Sequence, residues 1–505
     1  MAAAAARQGA SWREYRSMAG IGVKLNKIYG KNTITTNLFG FSYSTMITIA
    51  PMFLVILAVI VMQALLGFSK VGYADRELYS CTVLYIFIFA LLTASPFNAV
   101  LSRYMSDVIY RESYEDILAC YYLGLFMNIV LSCVLGIPFC IWEYVVGKVA
   151  LHYVLGGYCG YISLVLVFYS MLYLSICKDY NKISFFFLIG TVVTVLSSLV
   201  LVKLLSFEVT FGMLAALDIG FLLIGSLEFA LVRSYFRENS GNYREVLGYF
   251  KEHWQLVLTN FLYNLGLFIH NFVFWTTDMH MVVARSFVCM TTYDMATCIA
   301  MFTNITSSVI FISGVEMRFH DRYKKYSEAV IGGRGMDIRN AKQRMFEQLA
   351  EELMRLVRIQ FIVSVVLFFL CIIFMPQMGF GGLVMQIYPC LAAGYFILFT
   401  MYAAMIFLYY FNDLNGALAT AGSFILVTLL VSIWATRLTP IWYGVGLIVG
   451  TLIGWSVAYM RLRAMEKNLD VHIFCSGSIM KAGHGIQPSG KVYERKVPGR
   501  EIGMS

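Results

Sequence analysis

Apolar residues in this chain gather into twelve runs, each close to the roughly 20 residues a helix needs to cross a hydrocarbon core. They cover residues 43–67, 80–102, 117–141, 156–177, 183–205, 209–232, 254–276, 295–317, 357–375, 386–411, 416–435 and 441–460. The segments between them are short and alternate in basic content. The pattern predicts an all-α polytopic membrane protein, and an even number of spans returns the C-terminus to its starting side.

Lysine and arginine orient the spans. With the N-terminus cytoplasmic, 32 of the 38 basic residues fall inside, and only Lys70, Arg76, Lys148, Lys203, Arg285 and Arg437 lie at the outer ends. One missed or invented span would scramble that split, so it supports the count as well as the positive-inside orientation. The protein is expected in the cytoplasmic membrane, multi-pass, with both termini cytoplasmic. The net charge of +9 is then a topology signal, and no nucleic-acid partner is expected. With 59% hydrophobic and 13% charged residues, no soluble domain of this length fits. Ala2 to Ala6 is too short for the apolar core of a signal peptide. The 11 cysteines fall mostly in the spans without a CxxC, which reads as small membrane-core side chains.

Outer loops are short; the longest, 277–294, is about the size of one hairpin. The cytoplasmic side has a single sizeable insertion, 318–358. It opens on the basic, aromatic run Arg322-Tyr323-Lys324-Lys325-Tyr326 and is broken at Gly332-Gly333-Arg334-Gly335. It continues as an amphipathic helix with Ile338, Met345, Phe346, Leu349, Leu353 and Val357 on one stripe. That helix lies either on the membrane or bundle surface, or forms a docking surface for a cytoplasmic enzyme through Arg318, Arg322, Lys324, Lys325, Phe346 and Leu349. Two echoes suggest duplication: Val100-Leu101-Ser102-Arg103-Tyr104 returns as Val315-Glu316-Met317-Arg318-Phe319, and Thr36-Asn37 as Thr259-Asn260. They set spans 1 and 2 in register with 7 and 8. The expected organisation is a cytoplasmic segment 1–42, a six-helix lobe 43–232, a linker 233–253, a pseudo-symmetric six-helix lobe 254–460 and a tail 461–505, disordered over 477–505.

Polar groups inside a bilayer are costly, on the order of 2.5–3.5 kcal/mol for a charge at a helix centre, so they mark candidate function. The seventh run places Asn260, Tyr263, Asn264, His270 and Asn271 on one face, either a stripe toward water and substrate or interhelical hydrogen bonds. Asn37, Tyr43 and Thr48 give the first run a similar character ahead of Pro51. Asp218 and Glu228 stand about three turns apart in the sixth run, placed for ion coupling or for a structural pairing such as one with Lys203. The chain has no Walker A sequence, no outer DxD pair and no TVGYG filter, which disfavours an ATPase, a membrane-embedded glycosyltransferase and a potassium channel. No cofactor, metal or catalytic residue is expected, and a secondary transporter or flippase-like conduit remains.

Met18-Ala19-Gly20-Ile21-Gly22, with Leu25 and Lys27, resembles the opening of the PelG family of inner-membrane exopolysaccharide exporters, departing from it at Val23, Lys24 and Asn26. The resemblance continues at Arg103-Tyr104 with Asp107, at Glu316-Met317-Arg318-Phe319 with the Tyr-Lys-Lys-Tyr run, and at Tyr409-Tyr410-Phe411 with Asp413. It implies that residues 1–17 are an upstream extension. It also implies two six-helix lobes of the multidrug, oligosaccharidyl-lipid and polysaccharide exporter superfamily around a central path. A cytoplasmic PelF-like glycosyltransferase building an amino-sugar polymer, and PelD- and PelE-like membrane proteins, are the implied partners. Export of that polymer is the leading expectation. A lipid-linked oligosaccharide flippase, a cation-coupled multidrug exporter, a membrane scaffold and a membrane-embedded glycosyltransferase are the alternatives.

Overall fold

The computed structural model describes residues 50–51, 53–111, 113–176, 180–304, 319–378 and 381–476. Asn37, Tyr43, Thr48 and Arg318 lie outside them. In the first half come α1 (Phe53–Leu65), α2 (Tyr73–Tyr110), α3 (Glu115–Val145), α4 (Leu151–Ile176), α5 (Tyr180–Leu199) with a π-helical end at Val200–Leu204, and α6 (Val209–Tyr235). The short α7 (Tyr243–Glu252) leads into the second half. There α8 (Trp254–Phe274), α9 (Thr291–Asn304), α10 (His320–Gly332), α11 (Gly335–Phe374), α12 (Leu383–Tyr410), α13 (Leu414–Ala435) and α14 (Val445–Ser476) follow. Over its described residues, every run expected to span the membrane lies on a helix. Among the described residues ten helices are long and apolar enough to cross on their own; α1 and α9 adjoin residues outside the described set. The spanning stretches carry rows of exposed Phe, Leu, Ile and Val, such as Phe361, Val366 and Phe369 on α11, which only a lipid surround makes affordable.

Packing repeats with a shift of six spans. In the first half α2 packs on α3 and α4, α3 on α4, α4 on α6, and α5 on α6; in the second α9 packs on α11 and α12, α11 on α12, α12 on α14, and α13 on α14. Each half also has its own core. The buried apolar residues of one core run from Val55 to Val246, and those of the other from Tyr263 to Leu469 together with Cys81, Ile88 and Leu92 of α2. Two pseudo-symmetric lobes in parallel orientation follow, as in transporters built from repeats.

Three elements refine the expected layout. The amphipathic stretch and the ninth span are one continuous helix, α11, of 40 residues, about 60 Å long at 1.5 Å per residue. No Gly or Pro occurs between Met336 and Met375, so nothing in the backbone breaks it where its surroundings change. Asp337 Oδ2 accepts the Arg334 amide at 3.1 Å at its start, and Pro376 follows its end. Second, α10 folds back on α11, so the insertion is a helical hairpin rather than one surface helix. Third, the 277–294 loop contains an antiparallel hairpin, Met281–Val283 with Phe287–Cys289. Ala284 and Arg285 hold φ of 48° and 56° at its tip, a left-handed conformation that costs a non-glycine residue about 1 kcal/mol or more.

Candidate functional site

The lobes meet along α2 and α8, which run antiparallel. From the hairpin side inward, Tyr85 stacks on Trp275 with centroids 5.3 Å apart, and Phe89 on Phe272 at 6.3 Å. Deeper in the membrane, Pro96 lies inside α2 and leaves the Leu92 carbonyl without its helical donor. The Ser95 hydroxyl donates to that carbonyl at 2.9 Å, and the Asn260 amide of α8 donates to the Ser95 carbonyl. A backbone site beside a missing helical bond in one lobe is thus met by a polar side chain of the other. On the basic side Phe97 meets Phe250 and Tyr104 meets Tyr249, the Tyr249 hydroxyl donates to Asp107 at 2.6 Å, and Arg111 pairs with Glu245 at 3.3 Å.

Here His253 stacks on Tyr249 with centroids 4.1 Å apart. Burial, and then the Arg103 charge, holds its imidazole below the usual value of 6.5. Burial, with the neighbouring Asp107, pushes the Tyr249 phenol up.

Most of the expected α8 stripe is engaged in helix packing. Tyr263 is buried against Tyr402 with centroids 4.8 Å apart, His270 Nδ1 lies 2.9 Å from the Tyr293 hydroxyl, and the Asn271 amide donates to Asp294 Oδ1 at 2.7 Å. Asn264 donates to the Asn260 carbonyl at 2.8 Å and stays half-buried, as does Asn260. Asn260 faces the partner lobe, whereas Tyr263, His270 and Asn271 face α9, α12 and the rest of their own lobe.

The carboxylates of α6 lie inside the first lobe. Asp218 is seated on the bare face of α4, where a Cβ at Gly160 would come within 2.4 Å of Oδ1. Among the described residues Asp218 Oδ1 and both Glu228 oxygens have no hydrogen-bond partner. Lys203 is exposed at the end of α5, and the Gly160 seat gives Asp218 its position instead. Glu143, which sequence reasoning passed over, is buried with Oε1 unpartnered. It lines a cavity of ≈ 240 Å³ walled by Tyr85, Phe139, Tyr158, Tyr161 and Phe287. A second cavity of ≈ 450 Å³, rimmed by Asp75, Glu77, Lys148, His152 and Glu208, lies across the hairpin from it. Among the described residues no three His, Cys, Asp or Glu side chains gather to hold a metal ion.

On the basic side, Phe346 and Leu349 are buried, so they hold the α10–α11 hairpin and do not present a surface. Phe346 stacks on Phe411 at 5.3 Å, and Phe319 packs edge-on to Phe407 and Tyr410. Lys324 and Lys325 are exposed, and Arg322 is half-buried. Tyr410 at the end of α12 and Phe411 just after it therefore anchor this hairpin to the bundle. Asp413 next to them caps α13 and is gripped by Arg461 through two hydrogen bonds of 2.9 and 2.7 Å.

Sequence reasoning also missed the Ser95–Asn260 meeting beside Pro96. Pro96 was a visible signal, but the partner of Ser95 is 165 positions further along.

The family model described as "PelG: Putative exopolysaccharide Exporter (EPS-E)" matches residues 18–474. No curated protein matches the chain. Among solved structures, the fold is similar to an outward-facing multidrug resistance MATE family transporter of the MOP superfamily, at 13% identity and TM-score 0.57, covering 85% of this chain and 96% of that one. It is similar to MATE in the bent conformation at 15% identity and TM-score 0.57, covering 89% and 99%. An inward-facing MATE family transporter matches at 13% identity and TM-score 0.56, covering 84% and 96%. These identities speak to the fold alone.

Proposed function

Because the chain belongs to the PelG family of exopolysaccharide exporters and is a multi-pass membrane transporter by fold, we propose that it conducts an amino-sugar polymer across the cytoplasmic membrane. The basic face is the cytoplasmic one, on the charge asymmetry of the loops. The path runs between the lobes, beside the α2–α8 seam. The observation that carries this reading is that seam: two lobes with separate cores meet on a helix that lacks one backbone hydrogen bond at Pro96 and is bridged there by Asn260, so they can rock about it as repeat-built transporters do. In a strain lacking the chain, extracellular polymer should disappear while polymer made from UDP-sugar accumulates inside. Polymer secreted at the normal level would remove the assignment.

A glycosyltransferase of the PelF kind docks on the basic side, where Arg322, Lys324 and Lys325 top the α10–α11 hairpin, with PelD- and PelE-like membrane proteins completing the assembly. Co-purification of that enzyme should be lost with Lys324→Glu and Lys325→Glu combined; retention would place the contact elsewhere.

Two driving forces remain open to test. Polymerisation can push the chain outward with no ion. The unpartnered oxygens of Asp218 and Glu228 favour a bound proton or small cation in the first lobe. Export undiminished by Asp218→Asn with Glu228→Gln, at normal protein level, would leave polymerisation as the motor.

A further inference from the structure

One side-chain pair is unused by the transport reading. Cys81 Sγ on α2 and Cys289 Sγ on the second hairpin strand lie 2.8 Å apart, though 208 residues separate them in sequence. Both are free thiols, 2% and 1% exposed. The hairpin that carries Cys289 is fixed to the second lobe, because Asp294 accepts from Asn271, from the Trp275 indole and from the Met290 amide at 2.7, 3.0 and 3.1 Å. Its other face lies on the first lobe. The Tyr85 hydroxyl exchanges hydrogen bonds of 2.8 and 3.0 Å with the Val288 backbone, and the Tyr73 hydroxyl reaches Met281 Sδ. The thiols therefore sit in the wall between the two cavities: Leu78 and Val283 line the polar one, Thr82 and Phe287 the aromatic one.

We propose that Cys81 and Cys289 are a redox-active dithiol that oxidises reversibly to a disulfide, joining the lobes and holding the hairpin end of the path shut. The sulfurs are already within about 1 Å of the roughly 2.05 Å bonded separation, so closing the bond moves two side chains and not two helices. The oxidant is a small or protein-borne disulfide in the extracytoplasmic space, where thiols are not kept reduced. One thiol loses its proton and attacks a sulfur of that disulfide, giving a mixed disulfide and releasing one thiol. The second cysteine then attacks the mixed disulfide, the Cys81–Cys289 bond forms, and a second thiol leaves. Two cysteine thiols and one disulfide become one disulfide and two thiols, with two electrons and two protons passing to the oxidant. Because both cysteines are buried when the hairpin is seated, the first attack needs the hairpin lifted, and reseating it completes the bond.

The chemistry is independent of the cargo; only its effect on export rests on the transport reading. The purified full chain is incubated with oxidised or reduced glutathione, alkylated and digested without reductant. Oxidised glutathione should give a linked peptide pair containing Cys81 and Cys289, absent from the reduced sample. Recovery of both cysteines only as alkylated thiols or glutathione adducts would overturn the pairing. In cells, oxidised glutathione in the medium should lower wild-type export about tenfold, as expected of a cross-link that favours the closed state. Cys81→Ser and Cys289→Ser chains, at equal protein level, should export alike in either medium. Linked peptide with unchanged wild-type export would leave the bond without a gating role.

Discussion

At the scale of single residues, buried polar groups separate cleanly into paired and unpaired. Asp413 is 3% exposed, yet it accepts from Gly416 N at 3.0 Å and from Arg461 at two atoms, so its charge is both capped and neutralised. Asp413→Ala should destabilise the second lobe by about 1–3 kcal/mol, through the lost cap and the lost grip on α14. The cost stays moderate because Arg461 is partly exposed and returns to water. A melting-temperature series in detergent, with Arg461→Ala alone and combined with the first change, reads the coupling. His253 gives a prediction in pH. Its folded value lies below 6.5, for burial first and Arg103 second, so the unfolded chain binds more protons as the solution is acidified. Its contribution is fully present above the unfolded value and is lost as pH falls through the folded one. Glu252 and Asp107, which also face the ring, oppose that shift. Replacing His253 with Gln should flatten this part of the pH dependence of melting below about pH 6.5; an unchanged profile would show that the ring is neutral for other reasons.

At the scale of elements, a helix here is defined by its backbone and not by its surroundings. The positions of the spans were legible because the bilayer requires about 20 apolar residues, and a proline or a charge reveals the ends. The continuity of α11 was not, since residues 338–357 and 357–375 differ in the solvent each contacts while sharing one unbroken backbone. Phe346 and Leu349 were legible as an apolar stripe, but what the stripe faces is set by Phe319, Phe407 and Phe411 from distant segments. The expected outcome separates the two kinds of residue on that hairpin. Phe346→Ala should cost about 3–5 kcal/mol of local stability, the usual loss for an aromatic emptied from a core, and should expose α10 to protease. Changing Lys324 and Lys325 to Glu should leave stability within about 0.5 kcal/mol, as surface changes do, while abolishing partner binding. In α2 the same contrast applies at Pro96. Pro96→Ala restores a helical donor that Ser95 now replaces, so folded stability should hold or rise while export falls, because α2 gains the backbone hydrogen bond that proline denies it. A variant exporting at the wild-type rate would show that the missing bond is only structural.

At the scale of the whole molecule, the six-span repeat was legible from two short echoes, of which Val315 to Arg318 and Thr36-Asn37 lie outside the described residues. Its content, the packing pairs displaced by six, could come only from three dimensions. The seam was half legible: Asn260 stood out as polar, but its meeting with Ser95 needs residues 165 positions apart brought together. Two cores and one seam make a prediction about assembly. If the lobes are separate folding units joined by side-chain contact, the chain can be divided without losing the transporter. The segment 237–242 is exposed between α6 and α7, and Gly241 there has φ of 70°, a turn that no packing enforces. Chains ending and beginning at that turn, expressed together, should each insert and should purify as a pair in mild detergent. Among the contacts that hold them are Tyr85 on Trp275, Asn260 on Ser95, and Tyr249 on Asp107. Tyr85→Ala with Trp275→Ala should release the pair while each half alone keeps its melting behaviour. The aromatic stack is worth about 0.5–1.5 kcal/mol beyond its buried area, enough to tip an association without a covalent tether. If instead the unmodified halves never co-purify, the linker supplies the association, and the α2–α8 seam is a sliding surface along which the lobes move.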